Sequence, residues 1–162
     1  MTNSKGGGIF HEGTEVIVIS STLSGNAENI CNAAGSVRLK NMLIHGEPPV
    51  SNCSGNLTSL GYNLSSDASC HLTQATDLPN TAPLLGALAD NGGSTGTHAL
   101  LAGSPAIGKI PKNVNGCGTT ISTDQRGTAR PQPSTGNCDI GAYEKSPYWT
   151  WPHWLKWSEQ RR

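Results

Sequence analysis

The feature that most constrains this chain is a repeat with an offset of 21 residues. Laid over the sequence 21 residues further on, GGGIFHEGTEVIVISSTLSGN (residues 6–26) puts Ile9 on Ile30, Val16 on Val37, Val18 on Leu39, Leu23 on Ile44 and Gly25 on Gly46. Within it, Val16, Ile17, Val18 and Ile19 form a short β-branched block, which reads as a strand rather than a helix. The matching block, Val37-Arg38-Leu39-Lys40, alternates apolar and basic. Strand side chains point to opposite faces in turn, so Val37 and Leu39 face inward and Arg38 and Lys40 outward. By the repeat, Val16 and Val18 face inward too.

A period near 20 residues with short strands and glycine turns predicts a solenoid. The leucine-rich consensus is absent, so a parallel β-helix fits. Each coil then stacks about 4.8 Å from the last, and equivalent side chains form ladders, with Ser20 over Asn41 as a polar one. Two clear coils are fewer than the roughly three that a solenoid needs. The first coil is therefore expected to present an open edge, covered by upstream coils of a longer chain or by a partner chain.

At 162 residues the chain has room for one domain. Its net charge of zero gives no long-range field to steer nucleic acid. No apolar run approaches the roughly 18 residues of a membrane span, and MTNSKGGG has no apolar core of a signal peptide. Against that stand five cysteines, Cys31, Cys53, Cys70, Cys117 and Cys138, with neither CxxC spacing nor zinc-finger partners. A disulfide reading is preferred, which implies an oxidising compartment. The two observations meet if the chain is the C-terminal part of a longer secreted protein.

The repeat is expected to break after Gly46. The stretch 52–70 is a Ser/Asn/Gly loop bounded by Cys53 and Cys70. Proximity favours Cys53 with Cys70 and Cys117 with Cys138, although four cysteines allow three connectivities. Cys31, beside the inward Ile30, is expected to be a buried free thiol. Asn52, Asn56 and Asn63 each open an N-x-S/T triplet, as a loop of this composition does by chance. Residues 78–108 alternate apolar clusters with Pro and Gly turns and read as a cap over the open end of the stack. The division that follows is 1–50 for regular coils, 51–144 for irregular coils and cap, and 145–162 for a Trp-rich tail.

Taken in order, GGGI and the following strand, NCSG, LGYNLSSD, DNGGSTGTHALLAGSPAI, TDQRGTARP and CDIGAYE resemble the choice-of-anchor Q domain. The resemblance spans about residues 6–144. It implies a right-handed parallel β-helix, disulfides and export, at the C-terminal part of a large bacterial surface or secreted protein. It implies no enzymatic activity. Members often carry Asp after GSPAI; Gly108 stands there in this chain.

The best charged cluster is Asp124, Arg126, Arg130, Asp139 and Glu144. As chemistry it is a paired-carboxylate glycan site, with Asp124, Asp139 and Glu144 as weak catalytic candidates. As structure, the aspartates accept hydrogen bonds from turn amides and an arginine pairs a carboxylate in two-pronged fashion. The surrounding Gly127, Pro131, Gly136 and Gly141 favour the structural reading, in which the charges close the end of the fold. The stacked outward positions, Ile17 over Arg38 and Ile19 over Lys40, offer no cluster for a lyase.

Other signals are weaker. Asp67, Asp77 and Asp90 could furnish calcium ligands but lack DxDxDG spacing. His11, His45, His71, His98 and His153 show no metal-binding spacing; the repeat sets His11 over Asn32 and Ser24 over His45. No cofactor or metal is expected. The tail YWTWPHWLKWSEQRR holds all four tryptophans and reads as an aromatic platform for sugars or a membrane interface, as packing against the cap, or as a non-native end. The chain is thus expected to be a non-enzymatic structural or adhesive segment of an extracellular bacterial protein, with polysaccharide or a host surface as partner. The alternative is a carbohydrate-active β-helix using the cap carboxylates.

Overall fold

The computed structural model describes residues 7–147; the four tryptophans and His153 lie outside them. All regular structure in that range is β. Three successive coils each contribute three strands. The first coil holds β1 (Ile9–His11), β2 (Glu15–Ile19) and β3 (Thr22–Ser24); the second holds β4 (Ile30–Asn32), β5 (Ser36–Lys40) and β6 (Leu43–His45). The third holds β7 (Cys53–Ser54), β8 (Leu57–Ser59) and β9 (Leu64–Ser65). Corresponding strands pair in parallel into three sheets, β1-β4-β7, β2-β5-β8 and β3-β6-β9, a β-helix-like arrangement. The register follows the repeat: Ile9 opposes Ile30, Val16 opposes Val37, Val18 opposes Leu39 and Leu23 opposes Ile44.

The inward ladders form the first core. Ile30, Val37, Leu39, Met42 and Ile44 are fully buried there, with Ile9, Val16, Val18 and Leu23 of the first coil half-buried above them. Arg38 and Lys40 face outward, as their alternation predicts, and Arg38 reaches Glu15 on the strand above at 3.4 Å. The corner after each β2-type strand needs a left-handed residue, and Ser20, Asn41 and Tyr62 all supply it (φ 45°, 57° and 56°). Asn41 Nδ2 donates to Ser20 Oγ there at 3.3 Å, which makes the expected polar ladder. At Gly35 (φ 79°) a Cβ would run into the Gly13 carbonyl oxygen, so the coils approach too closely for any side chain.

The ladders run one coil further than the sequence repeat indicated. Cys53 lies beneath Ile30, Leu57 beneath Val37, Ser59 beneath Leu39 and Leu64 beneath Leu43. Two changes hide this coil in the sequence. Its loops no longer keep the 21-residue spacing, and polar Ser59 takes an inward position. Ser59 is accommodated because its hydroxyl donates to buried Asp77 at 2.6 Å. Buried asparagines serve the same purpose. Asn29 donates to Asn52 at 2.7 Å, and Asn63 accepts from the Met42 amide at 2.8 Å while donating to the Leu39 carbonyl. Buried polar groups cost stability unless paired, and these are paired between coils.

The remaining chain does not simply fold over the end of the stack. Leu72 and the Cys53–Cys70 disulfide join the first core, and Leu78 pairs in parallel with Leu64 as the start of a further rung. From there the chain turns to the flank. A hairpin of β10 (Leu85–Ala89) and β11 (Thr97–Leu100) precedes an irregular segment whose Leu100, Ala106, Ile110, Cys117, Cys138 and Ile140 pack with Leu43 and Leu64 into a second core. Leu43 and Leu64 belong to the outward ladder of the third sheet, topped by Thr22. Ala142 donates its amide to Thr22 Oγ1 and Gly141 donates to the Asn41 carbonyl. The C-terminal segment is thus a buttress along the third sheet that touches all three coils. Cys117 and Cys138 are disulfide-bonded inside it.

Cys31 is free and half-buried, not buried. Strand alternation explains the difference: Ile30 faces the core, so its neighbour faces out, beneath Phe10 and above Ser54. Of the three triplet asparagines, Asn52 and Asn63 are buried and Asn56 is exposed.

Candidate functional site

The charged residues singled out in the sequence come together as one network. Residues 123–129 form a tight turn in which Thr123 and Ala129 bridge and the Asp124 amide donates to the Thr128 carbonyl. That turn aims the Asp124 carboxylate back over its own amides. Oδ1 accepts from the Arg126 and Thr128 amides at 2.8 and 3.0 Å. Oδ2 accepts from Arg126 Nε and Nη2 at 2.9 and 2.7 Å and from the Glu144 amide at 2.9 Å. The Arg126 guanidinium lies 3.6 Å from the centre of the Tyr143 ring. It also donates to the Asn91 carbonyl in the hairpin loop and to the Glu144 carbonyl. One arginine therefore fastens the turn, the hairpin and the segment at Glu144.

Glu144 is fully buried. Its Oε1 accepts from the Gln132 amide and its Oε2 from the Asp139 amide, both at 3.0 Å. Arg130 Nε stands 3.4 Å from Oε2, an ion pair with no exposure on either side, and Arg130 Nη2 donates to the Gly141 carbonyl. Asp139, 2% exposed, accepts from the Gly108 amide at 2.7 Å and the Lys145 amide at 2.6 Å. Gly108 directly follows the run GSPAI. Here its amide is a ligand for the carboxylate of Asp139.

Burial and charge balance set the ionisation of the cluster. Burial raises the Glu144 carboxyl, and the neighbouring Asp139 charge adds to this, to about 7; the amides and Arg130 oppose it. Burial likewise raises Asp139 against the pull of its two amides and Arg130. At Asp124 burial also acts upward, but the hydrogen bonds from Glu144, Arg126 and Thr128 outweigh it and the carboxyl is lowered. Burial lowers Arg130 despite the carboxylates around it. Three carboxylates face two guanidiniums, and Glu144 is the group that gives way.

A groove of about 910 Å³ opens beside this network. Asp139 and Arg126 line it; Asp124 and Glu144 do not. The groove residues Gln132, Asn137, Tyr143 and Lys145 were not singled out in the sequence, since isolated polar residues in turns carry no spacing signal.

The weaker candidates are dispersed. Asp67 accepts from the Asn52 amide and from Ser69, and Asp77 from Ser59, Asn63 and Gln74. Asp90 caps the Gly92 amide in another turn. Among the described residues no group of three or more His, Cys, Asp and Glu is placed to hold a metal. His11 stacks over Asn32 and Ser24 over His45, in separate ladders. His45 lies 3.2 Å from Glu47, His98 contacts the Gly86 carbonyl and His71 is exposed in a turn. Among the described residues no helix is long and apolar enough to cross a membrane.

No protein-family model, no curated protein and no solved structure matches this chain.

Proposed function

We propose that this chain is a non-enzymatic structural segment of a right-handed parallel β-helix, carried by a secreted or surface protein of the choice-of-anchor Q type. The observation that carries this reading is the state of the three cap carboxylates. Asp124 and Glu144 have no exposed side-chain surface, and all three carboxylates accept backbone amides. Glycoside hydrolysis needs two carboxyl groups flanking one scissile bond, and Asp139 alone lines the groove. The same cluster does what a buttress requires, tying the turn, the hairpin and the segment 139–145 together on the flank of the coils.

Two further observations support the wider reading. The first-coil ladder Ile9, Val16, Val18 and Leu23 is half-buried where its second-coil counterparts Ile30, Val37, Leu39 and Ile44 are fully buried. Another β-coil, from the same protein or a partner chain, is the cover that completes such a ladder. The two disulfides suit an oxidising, extracellular setting. The test is a polysaccharide panel incubated with the oxidised chain and scored for new chain ends. None are expected. Depolymerisation that disappears in Asp139→Asn, with the fold intact by circular dichroism, overturns the structural reading in favour of a carbohydrate-active enzyme.

A further inference from the structure

We propose that the groove beside the charge network is a binding site for neutral, polyhydroxylated ligands, the chemical class of uncharged oligosaccharides. Its volume of about 910 Å³ falls in the range of roughly 300–1,000 Å³ typical of ligand clefts. What it takes follows from which polar atoms at the groove remain uncommitted.

Arg126 is spent. Its Nε and Nη2 hold Asp124, and its Nη1 holds the Asn91 carbonyl. The two amide side chains are half-spent. Asn137 Nδ2 donates to the Gly108 carbonyl and Gln132 Nε2 to the Ala129 carbonyl. Among the described residues nothing donates to Asn137 Oδ1 or Gln132 Oε1, so both remain acceptors. Asp139 accepts one amide on each oxygen, and each oxygen has a further lone pair. On the donor side, Lys145 Nζ gives one of its three protons to the Leu100 carbonyl. The groove therefore offers several acceptors and few donors. Ile107, Pro133 and the Tyr143 ring add apolar surface between them.

Charge decides among ligand classes. Asp124 offsets Arg126, and Asp139 offsets Lys145, so the groove presents no net charge to attract an ionic polymer. Hydroxyl groups donate and accept at once, which suits mixed sites of this kind. Backbone at Gly103, Gly108 and Gly136 lines the groove without side chains and lets a ligand approach closely.

The test is calorimetric titration of the oxidised chain with short β-1,4-glucan, chitin, α-1,4-glucan and mannan oligomers, with oligogalacturonate as the charged control. Saturable binding of at least one neutral oligomer is expected. The double variant Asn137→Ala, Gln132→Leu removes both acceptors and should weaken that binding about tenfold, since two hydrogen bonds are lost. Its melting temperature should fall by only a few degrees, because the two bonds it also removes, to the Ala129 and Gly108 carbonyls, are exposed and Glu144 is held by the Gln132 backbone rather than its side chain. The proposal is overturned if no neutral oligomer saturates the chain at millimolar concentration. It is equally overturned if binding ignores both substitutions, or if the charged oligomer alone binds. Retention without new chain ends supports this site and leaves the structural reading standing; cleavage overturns that reading and not this one.

Discussion

Arg126 shows how much can depend on one side chain. It holds Asp124 through two bonds, the hairpin loop through Asn91 and the C-terminal segment through the Glu144 carbonyl. Arg126→Ala leaves the Asp124 carboxylate buried without its cation, a change that typically costs about 3–5 kcal/mol. Chemical denaturation should show that loss, and Arg126→Lys should recover little, since an ammonium lacks the planar fork. The carboxyl groups predict an unusual pH profile. Glu144 and Asp139 are raised in the folded state, so folding binds protons there. Their contribution is fully present below the unfolded values near 4 and is lost as pH rises, for Glu144 through about 7. Asp124 and Asp67 are lowered, so theirs is present above about 4 and is lost as pH falls below it. Maximum stability is expected between about pH 4 and 5. Melting temperatures measured from pH 3 to 9 check this, and Glu144→Gln should flatten the fall between pH 5 and 7.

Between elements, stability comes from ladders rather than from any one strand. Leu39 is fully buried between Val18 above and Ser59 below. Leu39→Ala should cost about 2–5 kcal/mol, because neighbours held in register on both sides cannot collapse into the space. The disulfides act on different elements. Cys53–Cys70 ties the third coil to the loop beneath it, and Cys117–Cys138 closes the buttress. Each is worth about 3 kcal/mol on the chain-entropy view. Cys117→Ser with Cys138→Ser should therefore lower the melting temperature and expose the second core to a hydrophobic dye. The open ladder of the first coil predicts a gradient in hydrogen exchange. Amides of β1–β3 should exchange faster than those of β4–β6, which are covered on both sides.

Across the whole molecule, the C-terminal segment runs along the coils instead of closing their end. Thr22, Leu43 and Leu64 are one outward ladder, and the segment covers all three. Coils and buttress therefore share a boundary over the full height of the described structure. Heat unfolding should be a single transition by both circular dichroism and tyrosine fluorescence. Two separated transitions would show that the buttress detaches by itself.

The sequence alone determined the coil geometry, because a constant offset of apolar residues allows few ways to bury them all. Val16 over Val37 and Val18 over Leu39 are legible as soon as the repeat is seen, and strand alternation sets which residues face the core. The third coil was not legible, since uneven loops hide it and Ser59 replaces an apolar side chain, its hydroxyl satisfied by Asp77, far along the chain. The charged cluster was legible as a list, but its role was not. Whether Asp124 and Glu144 face a ligand or a backbone amide depends on how residues 123–144 fold onto one another. The groove beside Asp139 had no trace in the sequence. Its walls come from turns whose mutual placement is set by packing against Leu43 and Leu64, and no local pattern of residues encodes a contact between segments so far apart.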